Sequence, residues 1–188
     1  MPTAEYAAFK ALDPFFKVVM EGLSGLVDGK HYFDTFAEDA VFESRYNFPG
    51  WPQIIRGRAD LMAAYSGYGR NIVIHRGDNL AVHPSRDGRV VTIEYQVHGK
   101  IVATGAPYDN RFIAVVTIEN RKIVRWRDYM DSLAAWTALN PTALNPGGLE
   151  SGRPQRTSPD AAVNGRGALA SANPPKTPKS PKWTDPLK

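Results

Sequence analysis

"KIVRWRDYMD", residues 122–131, alternates along its length. In an extended strand successive side chains point to opposite faces. Ile123, Arg125, Arg127 and Tyr129 then fall on one side, and Val124, Trp126, Asp128 and Met130 on the other. The second row is apolar except for one carboxylate, held between an indole and a thioether. An acid on an apolar face loses its hydration and titrates at a raised pH, unless a buried cation pairs with it. Arg111, Arg125 and Arg127 are the cations that could do so. The final strand of the ordered region therefore raises both the question of the fold and that of the chemistry.

The strands before it read outward from this one. "NRFIAVVTIE" precedes it across a turn at Asn120-Arg121. "VVTIEYQVHGKIVATG" lies before that, with a bend expected at Gly99. Asp87-Gly88 is a strong hairpin signal. "NIVIHRGDNLAVHP" reads as a strand pair or one bent strand. Upstream the period becomes helical. Asp13-Pro14 reads as an N-cap followed by proline at the first helical position. Phe15, Val18, Val19, Gly22 and Leu26 then recur on one face. "GLVDGKHYFDTF" leads into a second short helix, and "AVFESRY" has strand character. "NFPGWPQIIRG" is a loop, in which Trp51 with Phe48 forms a lid or, as the safer reading, a packing plug. "RADLMAAYSGY" is a third short helix, with Leu61, Met62 and Tyr65 together. Helices followed by successive antiparallel strands give an α+β fold, a curved mixed or antiparallel sheet with about three helices on its concave side enclosing a pocket.

Composition divides the chain of 188 residues. Residues 1–140 are expected to form one domain, and 141–188 a disordered tail rich in Pro, Gly, Ser and Lys. The formal charge of +4 resides in that tail: residues 151–188 hold seven basic and two acidic groups, leaving 16 basic against 17 acidic upstream. A nucleic-acid-binding face on the folded domain is therefore not expected. The chain has no cysteine, which excludes disulfides and thiolate chemistry. No apolar run approaches a membrane span, and the first 16 residues lack a basic start and apolar stretch, so a cytoplasmic protein is expected. The four histidines have no metal-ligand spacing, and no glycine-rich phosphate loop occurs. No metal and no cofactor are implied.

The segments "GLVDGKHYFDTFAEDAVFE", "IIRGRADL" and "ATGAPYDNRFIAVVTIENRKIVRWRDYMDSLAAW", in that order over about residues 15–139, resemble the SnoaL-like group of the nuclear-transport-factor-2-like superfold. "HGKI", "YDNRF" and "KIVRWRDYM" are similar to the phenazine-biosynthesis A/B proteins, whose acid falls at Asp128 and whose pocket histidine position is Ala64. "WRDYMD" is similar to the limonene-epoxide-hydrolase branch. Its acid also falls at Asp128, but its Arg-x-Asp pair becomes Tyr95 and Val97, and its tyrosine and asparagine fall near Phe42 and Ser44. In the ketosteroid-isomerase branch the base position is Ser44. The resemblance implies a cone with a pocket, a homodimer and an acid at Asp128.

The expected catalytic residue is Asp128. The expected substrate-binding residues are Ser44, Tyr46, Tyr65, Tyr95, Asn110, Phe112, Trp126 and Met130. Ser44 has no histidine placed to activate it as a nucleophile. The tyrosines could donate to a substrate carbonyl, as could Tyr108, and Asn110 could act as an orienting amide. Two readings follow. In one, the chain is a cofactor-independent lyase, isomerase or hydrolase that moves one proton on a small apolar cyclic molecule. In the other, it is a non-catalytic ligand-binding or dimerisation module.

Overall fold

The computed structural model describes residues 4–141; the expectation of a disordered tail concerns residues outside this range, apart from Pro141. A 3-10 helix, Ala4–Leu12, runs directly into α1, Asp13–Gly22. Continuity corrects the expected start. Leu12, not Asp13, occupies the cap position, no side chain caps the helix, and Pro14 sits in its first turn, where a missing N–H costs nothing. The expected second helix is a single 3-10 turn, Tyr32–Thr35. His31 Nδ1 accepts from Phe33 N–H, and Asp34 accepts from His31 N–H at 3.0 Å. The chain then forms β1 (Phe36–Ser44), β2 (Ile54–Arg56), α2 (Arg58–Tyr65), β3 (Ile72–Pro84), β4 (Val90–Ile101), β5 (Pro107–Glu119), β6 (Lys122–Met130) and α3 (Ser132–Leu139). The short strand β2 lies inside the segment read as a loop.

The six strands form one open, mixed sheet in the order β2-β1-β6-β5-β4-β3. Only β1 and β6 pair in parallel. The three α-helices and the concave side of the curved sheet make the expected α+β cone. β3 is one bent strand. Its pairing with β4 shifts register twice, near Ile74 and near Asn79, which takes a left-handed conformation at φ 52°. Gly77 sits between these breaks. A Cβ there would meet Val18 Cγ1 at 2.7 Å and the Pro14 carbonyl at 2.9 Å, so only glycine lets α1 lie this close to β3.

The β5–β6 hairpin corrects the reading of the opening segment. Asn120 and Arg121 both have positive φ, 48° and 60°, as a two-residue hairpin turn of this twist requires. Arg121 is held there by Asp28 (Nη2 to Oδ1 2.8 Å) and by the Gly25 carbonyl. Next to the turn, Ile118 pairs with Ile123 but Thr117 pairs with Arg125. Val124 is therefore the extra residue of a bulge, and the alternation slips by one. Ile123, expected beside Arg125 on the outer face, is fully buried instead. Beyond the bulge the expected faces hold: Trp126 and Asp128 are buried, while Arg125 and Tyr129 are exposed.

The core is strongly aromatic. Phe42 and Trp126 stack at 6.1 Å across the parallel pair, Phe16 stacks on Tyr32 at 4.7 Å, and Tyr95 stacks on Phe112 at 5.2 Å. Such pairs contribute about 0.5–1.5 kcal/mol each beyond their buried area. These rings form the wall between the helices and the sheet.

Candidate functional site

Register places the acid. Ser44 of β1, Asp128 of β6 and Ala114 of β5 lie side by side in one row of the concave face. Ala114 is fully buried and small, so the Asp128 carboxyl is not covered from that side. Asp128 is itself only 4% exposed. Two residues earlier, Trp126 shares its face and donates from Nε1 to Asp128 Oδ1 at 3.0 Å.

Among the described residues no cation forms an ion pair with Asp128. Arg125 points to the outer face, where it is bound to Glu43 at 2.5 Å. Arg127 pairs in register with Glu43 and Val115, on the same outer side. Burial pushes the Asp128 carboxyl up to about 7, and hydrogen bonds from Trp126 and Tyr46 pull it back only part of the way.

Phenols surround this carboxylate. Tyr32, Tyr46, Tyr65, Tyr68, Tyr95 and Tyr108 are all raised above the usual phenol value, foremost by burial, and each is raised further by the negative charge of Asp128. They remain protonated, and therefore donors, at neutral pH.

A cavity of about 350 Å³ opens beside Asp128. This falls within the range of small-molecule sites. Of the expected residues, Asp128, Tyr46, Tyr65, Phe112 and Met130 line it. Four do not. Trp126 is fully buried behind Asp128. Tyr95 is covered by the stacked Phe112 ring, and its hydroxyl has no hydrogen-bond partner among the described residues. Ser44 is occupied by neighbours: its Oγ accepts from Trp51 Nε1 at 2.9 Å and donates to the Pro52 carbonyl at 3.2 Å. Asn110 lies behind Tyr108, to whose hydroxyl its Nδ2 donates at 3.2 Å.

Several wall residues were not foreseen. Tyr68 lies three residues beyond Tyr65, an aromatic pair at helical spacing that could have marked it; the two rings stack at 6.0 Å. Phe15 of α1 and Leu139 of α3 close the wall from the helix side. Trp51 does pack, edge-on to Tyr65 at 5.4 Å, but it also lines the cavity and so is more than a plug. Among the described residues Arg70, exposed, is the one cation in the lining.

The histidines lie elsewhere. His98 bridges Asp78 (3.1 Å) and Asp109 (2.6 Å), and His83 meets Glu94 at 3.0 Å, all on the outer face. Among the described residues no three metal-ligating side chains converge, and no helix is long and apolar enough to cross a membrane.

Comparison with known proteins agrees with this architecture. The SnoaL-like domain model matches residues 27–126, ending two residues before Asp128. The uncharacterized protein YesE of Bacillus subtilis (strain 168) is 32% identical over 117 residues, covering 62% of this chain and 80% of that protein. The crystal structure of a candidate isomerase from Bacillus subtilis shares 28% identity and superposes with a TM-score of 0.56, covering 72% of this chain and 95% of its own. An NTF2-like protein from Burkholderia xenovorans LB400, 21% identical with a TM-score of 0.51 over 74% and 99% of the two chains, shares the fold. With the cone, its mixed sheet and the matched segment in agreement, the chain belongs to the SnoaL-like domain family.

Proposed function

We propose that this chain is an acid–base enzyme that moves one proton on a small, mostly apolar cyclic molecule, with Asp128 as the group that takes and returns it. The observation that carries the reading is a buried carboxylate, unpaired with any cation among the described residues, at the wall of a cavity. A general acid or base works best when it titrates near the working pH. Asp128 is pushed up to about 7, where it can accept and release a proton with equal ease. Tyr46, Tyr65, Phe112 and Met130 shape the space beside it. Isomerisation, dehydration, cyclisation and epoxide opening all fit one mobile proton; the likeness to a candidate isomerase of Bacillus subtilis adds weight to the first.

The test begins with native mass spectrometry of the purified full-length chain, to identify a retained molecule. Solvent-deuterium incorporation or turnover of that molecule is then followed with the wild type and with Asp128→Asn. Loss of one positioned proton-transfer group lowers the rate about 10²–10⁴-fold. Ligand affinity should persist, because the cavity wall keeps its shape. Equal rates in both proteins would refute the role of Asp128.

A binding module is the second reading, favoured by the lack of a second carboxylate among the described residues that line the cavity. Retained ligand with no exchange in the wild type would establish it. The homodimer is also a proposal. It is supported by the outer sheet face, where Ile113 and Tyr129 are adjacent and exposed. A symmetric pair is the commonest oligomer. Sedimentation of the wild type against Tyr129→Asp tests it, and a monomeric wild type would overturn it.

A further inference from the structure

The cavity rim carries a charge that the proposed proton transfer does not use. Arg70 ends a 3-10 turn, Tyr68–Arg70, between α2 and β3. Two glycines make room for it. A Cβ at Gly69 would come within 2.8 Å of Ala11 Cβ, so glycine lets this turn press against the first 3-10 helix. Gly67 has an ordinary φ of −89°, and its backbone does not call for glycine. A Cβ there would instead lie 2.9 Å from Arg70 Nη2. The guanidinium thus lies back over Gly67, which is itself part of the cavity wall. Among the described residues this guanidinium has neither an ion pair nor a hydrogen bond. The next residue, Asn71, also lines the cavity, and its side-chain amide makes no hydrogen bond among the described residues. Its backbone carbonyl accepts from Val102 N–H at 2.8 Å, which holds it at the start of β3.

We infer that Arg70, assisted by Asn71, binds a carboxylate of the ligand at the rim of the cavity, so that the substrate is a small cyclic acid rather than a neutral molecule. The use made of this contact rests on the proposed role of Asp128. Arg70 is exposed and Asp128 is buried. The Asp128 carboxyl is set by burial, Trp126 and Tyr46, and not by this guanidinium, so the two charged groups stand apart. Apolar side chains, among them Phe15, Ile74 and Phe112, line the space with them. A guanidinium presents a planar fork of N–H donors that matches a carboxylate, and an amide can add a further donor. An anionic ligand is attracted by Arg70 and, wherever Asp128 is ionised, repelled by it. The two charges together select one orientation: the carboxylate stays at the rim and the uncharged ring enters towards Asp128. Fixing the reacting carbon against the proton-transfer group in this way contributes to rate beyond affinity alone.

Binding can be tested apart from turnover. The full-length chain is titrated calorimetrically at low salt with 2-naphthoate, an anionic probe, and with 2-naphthamide, its neutral counterpart of nearly the same shape. The wild type should prefer the anion. Arg70→Gln should weaken naphthoate binding about 5–10-fold, the worth of a charge-assisted hydrogen bond at an open rim. Arg70→Lys keeps the charge but not the fork, and should recover part of that loss. Raising the salt concentration should narrow the gap between wild type and Arg70→Gln. Naphthamide affinity should stay unchanged throughout, which also verifies that the cavity is intact. Undiminished naphthoate affinity in Arg70→Gln, a parallel loss for both probes, a wild type that binds the amide as tightly as the acid, or failure of naphthoate to bind would each overturn the assignment. Neither probe has to react, so a full rate in Asp128→Asn would refute the proton-transfer role and leave this result standing, and the reverse holds equally.

Discussion

Replacing Asp128 by asparagine should make the protein more stable above neutral pH, and the size of the gain follows from the site. In the unfolded chain this carboxyl titrates at an ordinary 3.8; in the folded chain burial raises it to about 7. The folded state therefore holds a proton over a range in which the unfolded state has released it. Stability from this group is fully present below pH 4 and is lost as the pH rises through 7. A tenfold change in proton affinity is worth about 1.36 kcal/mol, so the whole loss is on the order of 4 kcal/mol. Asparagine has nearly the same shape, still accepts from Trp126 Nε1 and does not ionise. Urea unfolding of both proteins at half-unit steps from pH 4 to 8.5 isolates the difference, because every other titrating group is common to the two. The advantage of Asp128→Asn over the wild type should grow steadily across this range and level off above pH 7. A difference that stays flat with pH would mean that Asp128 titrates like an exposed carboxylate. The account of an unpaired acid in a water-poor site would then fail.

Trp126→Phe keeps the ring packing but removes the indole N–H that lowers Asp128. The pH midpoint of that same stability difference, measured in the Trp126→Phe background, should move upward by roughly one pH unit, the worth of one such hydrogen bond. A midpoint that does not move would show that the indole contributes only packing. Gly77→Ala places a methyl group 2.7 Å from Val18 Cγ1 and 2.9 Å from the Pro14 carbonyl, and the backbone cannot yield cheaply. Overpacking of this kind costs about 1–3 kcal/mol. Chemical denaturation should register it as a lower midpoint with an unchanged slope, and an unaltered midpoint would show that α1 shifts freely over β3.

Period and composition carried the reading of the fold where elements obey a single repeat. Trp126 and Asp128 were placed correctly because alternation holds on their side of the bulge. Ile123 was not, because a bulge at Val124 arises from pairing with a distant strand, and no local signal announces it. The helix Ser132–Leu139 escaped notice for a related reason: "SLAAWTAL" is apolar nearly all round and presents no stripe. Asp131 does cap it, accepting from Ala134 N–H at 2.9 Å, a sign that "DSLA" offers to close reading. In the site, burial was legible but access was not. Ser44, Tyr95, Asn110 and Trp126 do face the concave side. Ser44 and Tyr95 are covered by Trp51 and Phe112, from other parts of the chain, and Asn110 and Trp126 lie behind Tyr108 and Asp128, each two residues away on the same strand. Which way the Asn110 amide turns depends on the backbone N–H groups its oxygen meets, and that is decided by how β5 approaches the start of α3.

The choice of neighbours around Asp128 is itself an argument about what the site is for. A carboxylate beside an arginine is held ionised far below neutrality, and one enclosed by aliphatic groups alone stays protonated far above it. Neither can exchange a proton readily near pH 7. Indole and phenol groups lie between these extremes. They donate to the ionised form, as Trp126 and Tyr46 do, but carry no charge that would fix it. Meanwhile the cations nearest in sequence, Arg125 and Arg127, are kept on the outer face by the strand's alternation, and Glu43 engages Arg125 there. A structural acid would be served better by a partner, since leaving it unpaired lowers stability at neutral pH by an amount comparable to a large core mutation. Keeping the neighbouring arginines on the opposite face of the strand from the acid retains this cost, which fits the proton-transfer role proposed for Asp128.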